Sequence, residues 1–378
     1  MGKDIVILSG FDYAVFIRRL NRFLVECDYN GKIVTAHLPN PGRLWELLQE
    51  GRTVYLKETQ GNGIRNTNHT IIAVKKGSET VFLHTHYTNR LARILIEEDL
   101  IPGLEGYIIE RPEYTLNNNR FDFLLNKDSN RLILEVKSCT LFHNNIAMFP
   151  DAVTSRGRRH LLGLAESSLP GGVLFIIHSN QPKYFLPEYH VDLEFSKTLY
   201  CLRSRISIWA VGIGWGRDLS VQKKVKALEI PWYIFEREGR DSGAYMLILE
   251  LNTDKWISIG GLGDVFFKKG FYIYVGSSMK NLNKRLERHK RKGKKHFWHI
   301  DYLREEVDLL HTIPIRSHKR LECNLANSIK KLGCVNIPDF GASDCMCDSH
   351  LFYMEIDPIH DSDFIEMLLD YRMPFIDA

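Results

Sequence analysis

No apolar run in this 378-residue chain approaches the ~20 consecutive residues that a membrane-spanning helix needs. The opening segment MGKDIVILSG likewise lacks the long apolar stretch of a secretory leader, so no membrane partner and a cytoplasmic location are the expectations. Cysteine is sparse: Cys27, Cys139, Cys201, Cys323, Cys334, Cys345 and Cys347 make an odd number spread over a long chain. That argues against a disulfide framework and for free thiols in a reducing compartment. Nor does either sign of charge dominate, and a net charge of +4 by itself points to no partner. What remains, 44% apolar and 25% charged residues, is the composition of a globular protein, and the length exceeds one typical core, so two or three domains are expected.

The small net charge hides one concentrated patch. Between Lys280 and Lys295 stand Lys280, Lys284, Arg285, Arg288, Lys290, Arg291, Lys292, Lys294 and Lys295 against Glu287 alone, while the rest of the chain is slightly acidic. Lys284, Arg288, Lys292 and Lys294 are therefore expected to contact nucleic acid, a solvated helix face being the plainer alternative.

Catalytic-type residues concentrate in Asn119 to Cys139, NRFDFLLNKDSNRLILEVKSC. Asp122 alternates with Phe121, Phe123 and Leu125 in a first strand, the polar cluster Asn126 to Asn130 is a turn signal, and RLILEVK is a second strand. Successive side chains of a strand point to opposite faces, so Glu135 and Lys137 share one face. Two carboxylates can hold a hard divalent cation through oxygen, and a lysine beside them can orient water or neutralise charge in a phosphodiester transition state. The pattern resembles the PD-(D/E)xK nuclease core, with Phe121 where proline usually precedes the aspartate. A strand end with an exposed Glu and Lys and no catalytic role is the plainer reading. Pro150-Asp151 also spells the motif's first letters, but it follows Glu135 and Lys137, so Asp122 is the better ligand candidate.

Residues 11 to about 85 read as β. RRLNRFLVECDY and KIVTAHLP flank Asn30-Gly31, and TVYLKE, HTIIAVKK and ETVFLHT, with turns at Gly61 to Gly63 and Gly77-Ser78, bring the total to about five strands, as in a small OB-like barrel. Asn40-Pro41-Gly42 is expected to turn into a short helix, and Arg43 there is a candidate phosphate contact. A helix over Asn89 to Asp99 precedes the hairpin. A second, over Thr154 to Ser167 and capped by Asp151 or Thr154, carries Arg156, Arg158 and Arg159 in its first turn, with His160 following. Cations at a helix N-terminus oppose the macrodipole, which favours an anionic ligand for these arginines, a solvated basic face being the plainer alternative. In HLPNPGRL, RFDFLL, LEVKSCTL and FPDAVTSRGRRHL, in that order, residues 11 to about 218 resemble the sugar fermentation stimulation protein family. The resemblance implies an OB-like domain joined to a PD-(D/E)xK nuclease domain, and DNA binding.

A second pattern begins near Ser242. GAYMLILEL and GFYIYVGSS read as strands and KNLNKRLERHKRKGKK as a helix running into a basic loop. These elements resemble a GIY-YIG nuclease domain. The resemblance assigns Tyr245 and Tyr274 to the motif tyrosines, Gly276 to its closing glycine, Arg285 to the catalytic arginine, with His289 a partner one turn later, and Glu322 to the metal-holding glutamate. Asn336 is a weaker match to a downstream asparagine. Ala244 and the insertion Leu251 to Lys269 depart from the pattern, and both occur in a relative of unknown function that shares the signature FGASDCMCDSHLFY. Cys345, Cys347 and His350, with Cys334 upstream, read either as a zinc site or as buried thiols. Residues 356 to 378 are an acidic tail expected to hold a helix packed on its own domain.

The expected architecture is multidomain, β and α/β: an N-terminal OB-like β-barrel (1–85), a central restriction-endonuclease-like PD-(D/E)xK α/β domain (86–218), a linker (219–230), a C-terminal GIY-YIG-like α/β domain (231–355) and a tail (356–378). The expected function is metal-dependent hydrolysis of DNA, with RNA the less favoured substrate. Mg2+ or Mn2+ would be held by Asp122 and Glu135 at one site and by Glu322 at the other. Two nuclease-type sites suggest processing of a repair or recombination intermediate. The alternative is a non-catalytic DNA-binding regulatory protein, and a third reading has one module cutting while the other docks DNA.

Overall fold

The computed structural model describes residues 5–59, 67–116 and 119–376, which fall into two compact units: Met1–Trp232 together with Met373–Ala378, and Tyr233–Arg372. Among the described residues no helix is long and apolar enough to cross a membrane.

The first unit opens on a barrel. Strands β1 (Asp12–Asn21), β2 (Leu24–Tyr29), β3 (Lys32–His37), β4 (Thr53–Glu58) and β5 (His69–Lys76) lie in the order β3-β2-β1-β4-β5. A parallel pairing of β3 with β5, Ala36 opposite His69, closes the sheet on itself. Closure removes the two open edges such a sheet would otherwise present. A sixth strand, β6 (Glu79–Phe82), extends it antiparallel to β5. The β2–β3 hairpin turns on Asn30 and Gly31, both at positive φ (55° and 77°), the backbone that a two-residue hairpin turn requires and Asn-Gly supplies.

Three local expectations in this region need correction or fall outside it. RRLNRFLVECDY is two strands rather than one, because the Asn21 side chain accepts the N–H of Phe23 and turns the chain there. The helix expected after Asn40-Pro41-Gly42 is a series of turns, since Leu44 sits at φ 56°, a left-handed conformation that a right-handed helix cannot contain. The turn expected at Gly61 to Gly63 lies outside the described residues.

After α1 (Thr88–Glu97) come β7 (Ile108–Leu116), β8 (Asn119–Lys127), β9 (Asn130–Cys139), α2 (Ser155–Glu166), β10 (Gly171–Ile177), α3 (Leu193–Leu202) and β11 (Ser207–Gly212). The strands form one sheet in the order β11-β10-β9-β8-β7, with β9 parallel to β10 and antiparallel to β8, and Lys226–Ala227 added at the β11 edge. Both faces are covered, which explains why β9 reads as a nearly continuous apolar run. Leu132, Leu134 and Val136 enter the cluster that holds Leu91 and Leu95 of α1; Ile133 and Cys139 enter the one that holds Leu161 and Leu164 of α2. That second cluster continues into the barrel through Val25, Val54 and Ile71, so barrel and sheet share a core. Residues 219–230, expected as a linker, are built into this unit. Ser220–Val221 pairs with Ile5–Val6, and Leu219 and Val221 are buried, so the stretch has apolar side chains with a core to enter.

The second unit is a five-stranded antiparallel sheet. Its elements are β12 (Gly243–Leu251), β13 (Lys255–Ser258), β14 (Asp264–Phe267), β15 (Gly270–Ser278), α4 (Leu282–Lys290), α5 (His299–Glu306), β16 (Asp308–Arg316), α6 (Glu322–Lys331), β17 (Val335–Asn336), β18 (Leu351–Met354) and α7 (Ser362–Arg372). The sheet order is β16-β12-β15-β18-β17, and the insertion Leu251 to Lys269 makes the separate hairpin β13–β14. Helix α7 buries Phe364, Ile365, Leu368 and Leu369, and Arg372 Nη2 donates to the Pro314 carbonyl at 2.9 Å. The last residues group with the first unit, where Asn145 exchanges two hydrogen bonds with the backbone of Ile376.

Candidate active sites

Strand alternation and the β8–β9 pairing bring Asp122, Glu135 and Lys137 together. Asp122 Oδ2 accepts the N–H of Val136 at 2.7 Å and Oδ1 accepts Asn89 Nδ2 at 2.6 Å. Glu135 is only 3% exposed, which removes the reading of it as an exposed strand end. Its Oε1 accepts from Lys137 Nζ and from His160 Nδ1, the latter at 2.6 Å, whereas Oε2 is buried with no hydrogen-bond partner among the described residues. A buried carboxylate oxygen left unpaired is costly, and a water or a cation offsets that cost.

Helix α2 brings His160 to this face. Thr154 caps it, its hydroxyl oxygen accepting the N–H of Gly157 at 3.0 Å. Arg156 Nε approaches His160 Nε2 at 3.4 Å, which leaves the His160 proton on Nδ1, facing Glu135. Burial, then the charge of Glu135, raises the Asp122 carboxyl above its ordinary range. Burial pushes Glu135 the same way, but the His160 hydrogen bond and the Lys137 charge together outweigh it and hold that carboxyl low.

Beside the pair lies a cavity of about 420 Å3 whose lining includes Lys137, Ser138, Asn89, Arg22, Gly42 and Arg156. The barrel supplies one wall: Arg19 Nη1 donates to the carbonyls of Gly42 (2.8 Å) and Arg43 (2.6 Å) and fixes the Asn40–Arg43 turn. Asp151 has a supporting role here, its Oδ2 accepting the N–H of Leu44 at 2.8 Å. Arg43 is half-buried, its guanidinium 5.0 Å from the Trp45 ring, with no hydrogen-bond partner for Nη1 among the described residues. Arg158 and Arg159 face solvent, Arg158 reaching Glu194 at 3.8 Å. The sequence reading did not assign Asn89, Arg19 or Arg22, and noted His160 without a role. One signal was available for His160: it stands four residues before Leu164 on the inward face, a polar residue where the helical period calls for an apolar one.

In the second unit Tyr245 lies opposite Gly276. A Cβ at Gly276 would come within 2.5 Å of the Tyr245 ring and hydroxyl, so glycine is what lets the ring lie across the neighbouring strand. Tyr245 Oη is 2.8 Å from His289 Nε2, and the Tyr274 ring centroid is 6.4 Å from that of Tyr245. Arg285 stacks on Trp298 at 4.0 Å, lies in the electrostatic field of both tyrosines and Glu322, and pairs with no carboxylate among the described residues. Glu322 opens α6; Ser277 Oγ donates to its Oε2, and His350 Nδ1 sits 3.1 Å from its Oε1. The motif residues Tyr245, Tyr274, Arg285, His289 and Glu322 therefore converge. Asn336 occupies the edge strand β17, opposite Phe352.

Burial, reinforced by the neighbouring phenol, raises the Tyr245 hydroxyl well above its ordinary value, and burial does the same to Tyr274, so both rest as hydroxyls at neutral pH. His289 is pushed down to about 3 by burial and then by the charge of Lys294, and is neutral. At Glu322 burial works upward, but the hydrogen bonds from His350 and Ser277 and the Arg285 charge hold the carboxyl below its ordinary range.

Two of the expected nucleic-acid contacts, Arg288 and Lys294, are ion-paired within their own unit. Arg288 grips Asp301 with both terminal nitrogens, at 2.7 and 2.8 Å, and Lys294 Nζ lies 3.1 Å from the same carboxylate. Asp301 has no exposed surface, and a buried carboxylate requires such compensation, which these two half-buried cations supply. Lys284 is exposed, and Lys292 reaches Asp308 at 3.6 Å from an exposed position. The cysteine group also differs from expectation: the side chains that gather are Cys323, Cys345, Cys347 and His350, with Cys323 in the place given to Cys334.

In comparison with known proteins, two family models fall in the first unit and one in the second. Residues 17–83 match the SfsA N-terminal OB domain, residues 86–216 the sugar fermentation stimulation protein RE domain, and residues 244–371 the domain of unknown function DUF123. A sugar fermentation stimulation protein homolog of Methanothermobacter thermautotrophicus is 38% identical over 187 residues, 49% of this chain and 78% of its own length. One from Methanosphaera stadtmanae is 39% identical over 202 residues, 52% and 84% of the two chains, and one from Clostridium tetani 33% over 229, 59% and 99%. The solved structure of Pyrococcus furiosus SfsA in complex with Ca2+ aligns with a TM-score of 0.55 at 24% identity, covering 61% of this chain and 99% of that one, and so shares the fold.

Proposed function

The chain belongs to the sugar fermentation stimulation protein family, carries a C-terminal DUF123 domain, and on that premise we propose that it is a metal-dependent nuclease hydrolysing DNA phosphodiester bonds in the cytoplasm. The observation that carries this reading is the buried, unpaired Oε2 of Glu135 beside Asp122 and Lys137. Asp122 and Glu135 would hold Mg2+ or Mn2+, which when bound there supplies Lewis acidity and a lowered pKa of water. The relative solved with Ca2+ fits a site of this hard, oxygen-ligated kind.

Lys137, tethered to Glu135, orients the attacking water or neutralises charge that develops on the phosphate. His160 fixes the Glu135 carboxylate from behind, and Arg156 and Arg22, at the adjoining cavity, offer cations to flanking phosphates. In the second unit Arg285 would be the phosphate clamp, Glu322 the cation ligand, and Tyr245 or Tyr274 the group that positions the water and, once its own hydroxyl proton has passed to solvent, takes the water's proton as tyrosinate. The raised tyrosine values mean that this proton step depends on the nearby Arg285 charge.

One observation favours the alternative of a non-catalytic DNA-binding protein: both Asp122 oxygens already have donors, from Asn89 and Val136. The full chain, incubated with duplex DNA in Mg2+, Mn2+ or EDTA, separates the two. The nuclease reading predicts EDTA-sensitive cutting that falls at least roughly 100-fold in Glu135→Gln and Asp122→Asn at the sites they disable. Salt-dependent, metal-independent binding with no cleavage would establish the alternative.

A further inference from the structure

We propose that Cys323, Cys345, Cys347 and His350 bind one zinc ion, which ties the loop before β18 to the first turn of α6. Their ligand atoms already lie within 4.8 Å of one another, and Cys345 Sγ is 3.4 Å from His350 Nε2. Tetrahedral zinc with arms of about 2.3 Å to sulfur and 2.0 Å to nitrogen has edges of about 3.5 to 3.8 Å, so closing the site needs only small movements. The local sequence explains the convergence. The chain turns and bends from 343 to 346, and Met346, fully exposed between the two cysteines, stays outside the group. Cys323 follows Glu322 at the start of α6, and His350, almost fully buried, enters just before β18.

Three thiolates and an imidazole form a soft set, which selects zinc over Mg2+ or Mn2+ and distinguishes this site from the oxygen-ligated ones. Binding displaces one proton from each of the three thiols to solvent, with no change of oxidation state. It also settles the tautomer of His350. With Nε2 on the metal, Nδ1 carries the proton and donates to Glu322 Oε1, 3.1 Å away, so the ion fixes the orientation of the candidate catalytic carboxylate without touching substrate.

The test reads metal content rather than cleavage, so it stands or falls apart from the nuclease reading. Full-length chain purified without chelators is expected to carry one zinc per chain by elemental analysis, retained in Cys334→Ser and Glu322→Gln and lost in Cys345→Ser and Cys347→Ser. Wild-type chain stripped by chelator and given Co2+ is expected to show thiolate-to-metal charge-transfer bands and strong tetrahedral d–d bands, which covers the case of a serine variant that fails to fold. Absence of zinc together with no cobalt spectrum, a disulfide among the three cysteines in the freshly purified chain, or undiminished zinc in Cys345→Ser and Cys347→Ser would each overturn the proposal.

Discussion

His289 shows how far a single buried group can set the behaviour of its unit. It is wholly buried, bonded to Tyr245 and held neutral, with its pKa pushed down to about 3 from an ordinary value near 6.5. A group whose folded pKa is depressed contributes stability that is complete above its unfolded value and is lost as pH falls toward the folded one. The second unit should therefore lose thermal stability progressively as pH drops from about 6.5 toward 3. In His289→Gln, which keeps an amide for the Tyr245 hydroxyl but cannot titrate, the fall measured by melting at a series of pH values should be shallower; an unchanged slope would show that other groups control it. Asp122, Glu135 and Lys137 could be picked out because the strand period is local, whereas Tyr245, Tyr274, Arg285 and Glu322 were legible only through the resemblance of their motifs to a GIY-YIG domain. His160 against Glu135, and His350 against Glu322, join segments 25 and 28 residues apart and leave no period to read.

At the scale of the element, α4 and the basic loop after it carry the densest positive charge in the chain, yet their cations do different things. Lys284 is exposed, whereas Arg288 is half of a bidentate pair with a carboxylate that has no exposed surface. Composition placed both in one basic face; only packing separates them, since Asp301 is brought in by a different helix. Arg288→Ala should cost roughly 3 kcal/mol in denaturant unfolding, because it strips a buried charge of its main partner. Lys284→Ala should leave stability within about 0.5 kcal/mol and weaken DNA binding modestly, with a smaller salt dependence. Equal stability losses in the two variants would contradict the assignment. The barrel hairpin and α2 were easier to anticipate, since Asn30-Gly31 and Thr154 are local signals acting on their own neighbours. The turn at Leu44 was not, because a leucine at positive φ is held there by Arg19 and Asp151 from elsewhere in the chain.

At the scale of the whole molecule, the order of elements in the sequence foretold an OB barrel, a restriction-endonuclease-like sheet and a C-terminal α/β unit. The compact units are two rather than three because barrel and central sheet bury one continuous cluster, and the supposed linker feeds apolar side chains into the same unit. A shared core of that kind arises from side chains distant in sequence, which is why composition suggested boundaries that packing does not respect. We propose two chemically distinct cutting sites in the one chain, one built on Glu135 and Lys137 and one on Arg285 and Glu322. The measurement that tests it most directly is cleavage of labelled single-stranded, duplex, flapped and branched DNAs and one RNA, in Mg2+, Mn2+ or EDTA, by wild type, Lys137→Ala, Arg285→Ala and the double variant. The expected result is EDTA-sensitive cutting, a different part of the substrate panel lost in each single variant, and no cutting by the double variant; undiminished cutting by the double variant would rule out both sites.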